Sequence, residues 1–247
     1  EWILNEVFPG KKGGTFIEAG ALNGVDESNT VRLERERGWT GLLVEPATPY
    51  FRELQKNRTA KLENVCLLDR ETEVDFLEAG GHGGIPHFFS AEYGQKGRAT
   101  RKQALPLATL LARHHLPQQI DFLSLDTEGS ELTVLQAFPF ERYTFGAMTI
   151  EHNHNPALRD GMRELLRRKG YVLCREGLVD DWWLHESVYA QIPAERRELW
   201  KLLNRFPPSE AQVRAVEVAA RYDALLAKTQ SVAGTCRLLW KALTKAL

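Results

Sequence analysis

The feature that most constrains this chain is an alternation along roughly its first 190 residues: short apolar runs recur, and most are separated by stretches with helical spacing. Short buried runs joined by crossover helices predict an α/β fold with a mostly parallel sheet and helices on both faces. Thr15-Phe16-Ile17 reads as a strand running into Gly20 and Gly24, and Ser28 to Arg37 as a helix stopped by Gly38. Gly41-Leu42-Leu43-Val44 reads as a buried strand ending at Glu45-Pro46. A helix follows it, with Ala47, Tyr50, Phe51 and Leu54 on one face. Further strands are expected at Asn64–Leu68, Val74–Leu77, Ile120–Leu125, Phe145–Ile150, Tyr171–Cys174 and Trp182–Leu184. Helices are expected near Leu107, from Ser130 to Phe138, and from Pro156 to Gly170.

Two stretches break the alternation. From Gly80 to about Thr100 glycines gather beside His82, His87, Phe88, Phe89 and Tyr93, a composition that suits a substrate lid better than a linker. Beyond about Ser187 only helical patterns remain, so residues 1–190 are expected to form one domain and 191–247 a helical C-terminal extension. Ser209 suits an N-cap there. In the last helix Cys236, Leu239, Trp240, Leu243 and Leu247 form an apolar stripe beside Arg237, Lys241 and Lys245. Such a stripe packs on its own domain or on a second copy, which would make a homo-oligomer; a membrane surface or partner protein is the other reading.

Composition narrows the function class. A net charge of −1 gives no electrostatic footprint for nucleic acid. Three scattered cysteines form no disulfide framework and point to a reducing, cytoplasmic setting. No apolar run approaches the roughly 20 residues of a membrane span.

Open α/β sheets bind ligands at the carboxyl ends of their strands, so those ends carry the chemistry. At the first, Gly20 and Gly24 allow close backbone approach, but the spacing fails the three-glycine dinucleotide fingerprint. At the second, Glu45 lies 25 residues after Gly20, where a carboxylate can accept both hydroxyls of a ribose. NAD and S-adenosylmethionine both carry that ribose, so Glu45 alone does not choose between them. Asn64 to Leu67 would border an adenine. The Leu125-Asp126-Thr127-Glu128-Gly129-Ser130-Glu131 segment crowds carboxylates at the sheet rim, part of it serving as a helix start. Glu151-His152-Asn153 ends the next strand, with Asn155 as the N-cap before Pro156. An acid, an imidazole and an amide facing Asp126 make either a general-base site or an oxygen-rich site for Mg²⁺.

In this order the segments resemble the FkbM-type S-adenosylmethionine-dependent methyltransferases. The resemblance rests on Phe16-Ile17-Glu18-Ala19-Gly20-Ala21 through Gly24, Ser28-Asn29-Thr30, and Gly38-Trp39-Thr40-Gly41-Leu42-Leu43-Val44-Glu45-Pro46. It continues through Ile120 to Glu131, Glu151-His152-Asn153, Gly170-Tyr171 and Asp181-Trp182, covering about residues 13 to 186. Leu22-Asn23 departs from the Asn-Asp common in that family, and the tail beyond Ser187 carries no family motif.

The resemblance implies a class I methyltransferase (Rossmann-like) fold, a seven-stranded mostly parallel sheet whose last strand is antiparallel. It implies O-methylation of a small-molecule or glycan acceptor carrying a hydroxyl group. Carried over, Glu18, Gly20, Asn29 and Thr30 would hold the amino-acid portion of S-adenosyl-L-methionine. Glu45 would take the ribose, Asn64, Cys66 and Leu67 the adenine, and Asp126 would lie between cofactor and acceptor. The hydroxyl proton would go to His152, or Asp126 with Glu151 or Asn153 would hold Mg²⁺ that acidifies the hydroxyl. The rival classes are an NAD-type oxidoreductase and a non-catalytic adaptor that keeps the fold and works through its helical tail.

Overall fold

A computed structural model describes residues 2–88 and 97–204. In chain order these form β1 (Thr15–Ala19), α1 (Val31–Arg37), β2 (Thr40–Val44), α2 (Thr48–Asn57), β3 (Lys61–Glu63) and β4 (Cys66–Leu67). Then come β5 (Thr72–Glu78), β6 (Arg98–Leu105), α3 (Leu107–Arg113), β7 (Gln119–Leu125) and α4 (Glu131–Gln136). The remainder is β8 (Thr144–Glu151), α5 (Pro156–Arg168), β9 (Tyr171–Glu176), β10 (Asp180–His185), α6 (Glu186–Tyr189) and α7 (Ala194–Leu203).

Seven strands make one sheet in the order β3-β2-β1-β7-β8-β10-β9. The pairs from β3 to β8 are parallel, and β10 runs antiparallel to β8 with Trp182 opposite Thr149. This is the expected Rossmann-like sheet of a class I methyltransferase. Its central strands carry consecutive apolar residues because helices cover both faces: Phe16, Ile17, Leu42, Leu43, Phe122 and Leu123 are all buried. Local chemistry sets the helix ends. Gly38 adopts φ +63° at the end of α1, and the Asn155 side chain accepts from the N–H groups of Ala157 and Leu158 to open α5.

Three departures from the sequence reading have physical causes. Helix α1 begins at Val31 rather than Ser28, because the Ser28 hydroxyl, the Asn29 N–H and the Thr30 hydroxyl all donate to Glu18. The run Asn64–Leu68 is not one strand: β3 ends at Glu63, and Cys66–Leu67 joins a second, three-stranded sheet ordered β4-β6-β5. That sheet has its own small core of Ala47, Cys66, Leu68, Phe76 and Ala104. Finally, β6 begins at Arg98, inside the stretch expected to be irregular, since its alternation is carried by polar side chains. Phe89, Tyr93, Ser209 and the final amphipathic helix lie outside the described residues.

The described residues divide between two compact units, one within 1–173 and 179–191, the other within 174–178 and 192–247. In the second, Trp200 and Leu203 of α7 are buried. Asn204 there donates to the Cys174 carbonyl at 3.0 Å and accepts from the Glu176 N–H at 3.0 Å. Among the described residues no helix is long and apolar enough to cross a membrane.

Candidate active site

The strand order reverses direction at β1, which has β2 on one side and β7 on the other, and a cleft of about 430 Å³ opens there. That places it where open α/β sheets take their ligands, with a volume suited to a small molecule. Gly20 makes the closure of the two strand ends possible. Its φ is +82°, and a Cβ at this position would overlap the carbonyl oxygen of Asp126. The Asp126 N–H in turn donates to the Ala19 carbonyl at 3.1 Å.

Glu18 and Asn29 both line the cleft, and Glu18 organises the loop that follows β1. Its carboxylate accepts from Ser28 Oγ at 2.8 Å, the Asn29 N–H at 2.6 Å and Thr30 Oγ1 at 2.6 Å, with Arg58 3.6 Å away. Burial raises the Glu18 pKa, and these donors and the Arg58 charge oppose the rise. Arg58 is buried as well and donates to Thr30 Oγ1, the Gly24 carbonyl and Glu34. Thr30 is fully buried and does not line the cleft; its hydroxyl is spent inside this network. Asn29 donates from Nδ2 to Ser124 Oγ at 2.9 Å.

At the end of β2, Glu45 lines the cleft with little solvent exposure. One of its oxygens accepts from the Leu22 N–H at 2.8 Å and the other from the Ala47 N–H at 2.7 Å. Each oxygen keeps a second lone pair for a ligand hydroxyl. Burial raises its pKa to about 7. Asn64 stands behind rather than in the cleft, donating to the carbonyls of Glu45 at 2.7 Å and Pro46 at 3.0 Å. Cys66 and Leu67 form an apolar wall, and burial pushes the Cys66 thiol up to about 12, which keeps it neutral. Phe76, Gly80, Gly81, Gly83 and Ile85 close the same side, so part of the glycine-rich stretch does reach the cleft.

The opposite end is acidic. Asp126, Glu128, Glu151 and Asp180 line it, and among the described residues no Lys, Arg or His does. Burial, then the Asp126 charge, pushes Glu151 up to about 11; burial pushes Asp180 to about 6. Asn153 donates from Nδ2 to Glu151 at 2.8 Å and to Glu128 at 3.2 Å, tying the two acids together.

His152 is not brought into this group. It follows directly on Glu151, and neighbouring residues along extended backbone point to opposite faces. Its ring is therefore buried, with Nε2 4.0 Å from Asp181, and it does not line the cleft. Asp181 itself is clamped by Arg159 at 2.6 Å and Arg163 at 3.1 Å.

Glu131, counted from the sequence among the carboxylates crowding the rim with Asp126 and Glu128 but read as a helix-start residue, was not named as a site residue. It sits at the first turn of α4, where an acid reads as a helix-start residue, and it does serve that role. Its Oε1 accepts from the Thr127 N–H at 2.6 Å and the Gly129 N–H at 3.2 Å. The side chain is nevertheless fully buried, and its carboxylate lies within 4.8 Å of those of Asp126 and Glu151. The sequence signal was the i, i+5 spacing of Asp126 and Glu131 across Gly129, whose φ of +109° folds the segment back on itself.

A family model for the methyltransferase FkbM domain matches residues 18–173. The solved FkbM methyltransferase of Methylobacillus flagellatus KT is similar at 12% identity and a TM-score of 0.45, over 70% of this chain and 43% of that one. The chain therefore spans less than half the length of that protein. M. capricolum TrmK, solved with S-adenosylhomocysteine, is similar at 11% identity and a TM-score of 0.37, over 83% of this chain and 88% of that one. A methyltransferase from Pyrococcus furiosus shares 12% identity and a TM-score of 0.36, over 71% and 76% of the two chains. A search of curated proteins finds no match.

Proposed function

The chain belongs to the FkbM methyltransferase family, and from that premise we propose that it transfers the methyl group of S-adenosyl-L-methionine to a hydroxyl group of a small-molecule or glycan acceptor. The observation that carries this reading is the pairing, in one cleft, of a ribose-ready carboxylate at Glu45 with the rim carboxylate of Asp126. The residues present fit the cofactor. Glu45 is pre-oriented by two backbone N–H groups and has lone pairs left for ribose hydroxyls. Gly20 borders the cleft with backbone alone, the Asp126 carbonyl leaving no room for a side chain there, and Cys66 with Leu67 offers an apolar wall for a purine.

Bound there, S-adenosylmethionine supplies a methyl group already activated by a positively charged sulfur. What the protein must add is alignment of the acceptor and removal of a proton. With the cofactor bound, Asp126 would take the proton of the acceptor hydroxyl as its oxygen is methylated. Glu151, whose pKa burial and the Asp126 charge raise, shares a hydrogen bond with Asp126 and orients it. His152 stands behind these two and takes no proton from the acceptor. The all-acidic rim favours neutral or cationic acceptors over phosphorylated or carboxylated ones.

Calorimetry with S-adenosylhomocysteine tests the cofactor assignment, with saturable binding expected. No heat at high micromolar concentration would overturn it and favour the adaptor reading. A screen of hydroxylated acceptors with methyl-labelled cofactor then tests the oxygen assignment. Label found only on nitrogen would overturn that part alone.

A further inference from the structure

Two carboxylates of the acidic cleft end, Asp126 and Glu151, meet a third, Glu131, that is buried behind the cleft lining, more than proton removal requires. Asp126 comes from the end of β7, Glu131 from the first turn of α4 and Glu151 from the end of β8, with their oxygens all within 4.8 Å of one another. Like charges so close repel strongly unless a shared proton or a cation lies between them. The protein supplies no such charge from the cleft, since no Lys, Arg or His lines it among the described residues.

Glu131 is the independent sign of a missing partner. It is 0% exposed, and its Oε1 takes two N–H donors and the Thr127 hydroxyl. Its Oε2 is buried with no hydrogen-bond donor among the described residues. A buried carboxylate oxygen without a donor is costly unless paired with a charge. Asn153 adds outer support by donating to Glu151, as the neighbours of metal-binding carboxylates do.

We propose that Asp126, Glu131 and Glu151 form a site for one hard divalent cation, held by oxygen alone, at the acceptor end of the cleft. Mg²⁺, Mn²⁺ and Ca²⁺ are the ions that suit an all-carboxylate donor set. This ligand set differs from the one the sequence suggested: Glu131 takes the place of Asn153, whose amide nitrogen is turned to Glu151 and Glu128. The site deepens the methyltransferase reading and rests on it only for its purpose, which is to lower the pKa of an acceptor hydroxyl whose proton the second oxygen of Asp126 takes. Binding of the ion does not depend on that purpose.

The test uses the full chain at about pH 8, where the ion more readily displaces a proton shared among the carboxylates than in acid. Mn²⁺ binding is followed by loss of the free-ion electron paramagnetic resonance signal, with Mg²⁺ and Ca²⁺ as competitors and S-adenosylhomocysteine binding measured separately by calorimetry. One competable Mn²⁺ is expected per chain, weakened at least about tenfold in Glu131→Gln and in Glu151→Gln. Both variants should keep their affinity for S-adenosylhomocysteine. If Glu131→Gln does not fold, Glu151→Gln, at the cleft surface, decides alone. No Mn²⁺ uptake at millimolar concentration by protein that binds S-adenosylhomocysteine would overturn the site and make the cluster a proton-sharing one. Uptake unchanged in the variants would overturn it too, as binding elsewhere. Mn²⁺ uptake at these residues without S-adenosylhomocysteine binding would leave the site standing and remove the methyltransferase reading.

Discussion

Gly20 and Asp126 are fitted to each other: the backbone of one occupies the space where a side chain would strike the carbonyl oxygen of the other. This contact joins the ends of β1 and β7 and so sets the distance between the cofactor side and the acidic side of the cleft. A Gly20→Ala substitution meets both a steric overlap and a left-handed φ, and is expected to cost about 2–4 kcal/mol. Denaturant unfolding should show the loss, and S-adenosylhomocysteine binding should weaken in whatever folded protein remains. An unchanged midpoint would mean that β1 and β7 can separate freely.

Glu45 should make both stability and binding depend on pH. Burial lifts its pKa from an ordinary 4.5 to about 7, so between those values the folded protein holds a proton that the unfolded chain has released. That contribution to stability is complete below the lower value and is lost as pH rises through the upper one, at up to about 1.4 kcal/mol per pH unit. Ligand binding runs the other way. Ribose hydroxyls favour the carboxylate, so affinity for S-adenosylhomocysteine should climb from about pH 6 to about pH 8. Glu45→Gln should flatten both trends in melting and calorimetric series.

Asp126 and His152 separate cleanly in a turnover assay with whichever hydroxylated acceptor proves active. Asp126→Asn should lower the rate by about 10²–10⁴-fold, the loss typical of a missing proton acceptor. His152→Ala should leave the pH–rate profile in place while removing about 1–3 kcal/mol of stability, because a buried ring beside Asp181 is lost. A profile that loses its limb near neutral pH in His152→Ala would return the base assignment to the imidazole.

Asn155 offers a purely structural control. Its side chain caps α5 through the N–H groups of Ala157 and Leu158 at 3.1 and 3.2 Å. Asn155→Ala should cost about 1 kcal/mol, read as a lower unfolding midpoint, and leave cofactor affinity alone.

How far the sequence revealed this molecule depended on what kind of signal each residue carried. Strands β1, β2, β7 and β8 were legible because they are buried on both faces and end abruptly in Glu18-Ala19-Gly20, Glu45, Asp126 and Glu151. The Asn155 cap and the Gly38 stop were legible because each has a local cause. The second sheet was hidden: β6 exposes half of its residues, and β4 is only two residues long. His152 and Glu131 lie where the sequence did not place them, for opposite reasons. Side-chain direction at a strand exit turns the imidazole inward, while a glycine turn brings what looked like a helix-start acid beside Asp126 and Glu151. Neither direction is written in residue type.

The network around Glu18 has a consequence for natural variation. Its oxygens are claimed by Ser28, Asn29 and Thr30, and Arg58 reaches Thr30 and Gly24 from the far side of the same loop. No member can change alone without stranding a buried charge or hydroxyl, and effects within such a set do not add. Glu18, Thr30 and Arg58 should therefore drift as a block among the relatives of this chain, replaced together or not at all. The loop they brace is then inherited as one unit, whatever acceptor the rest of the cleft comes to serve.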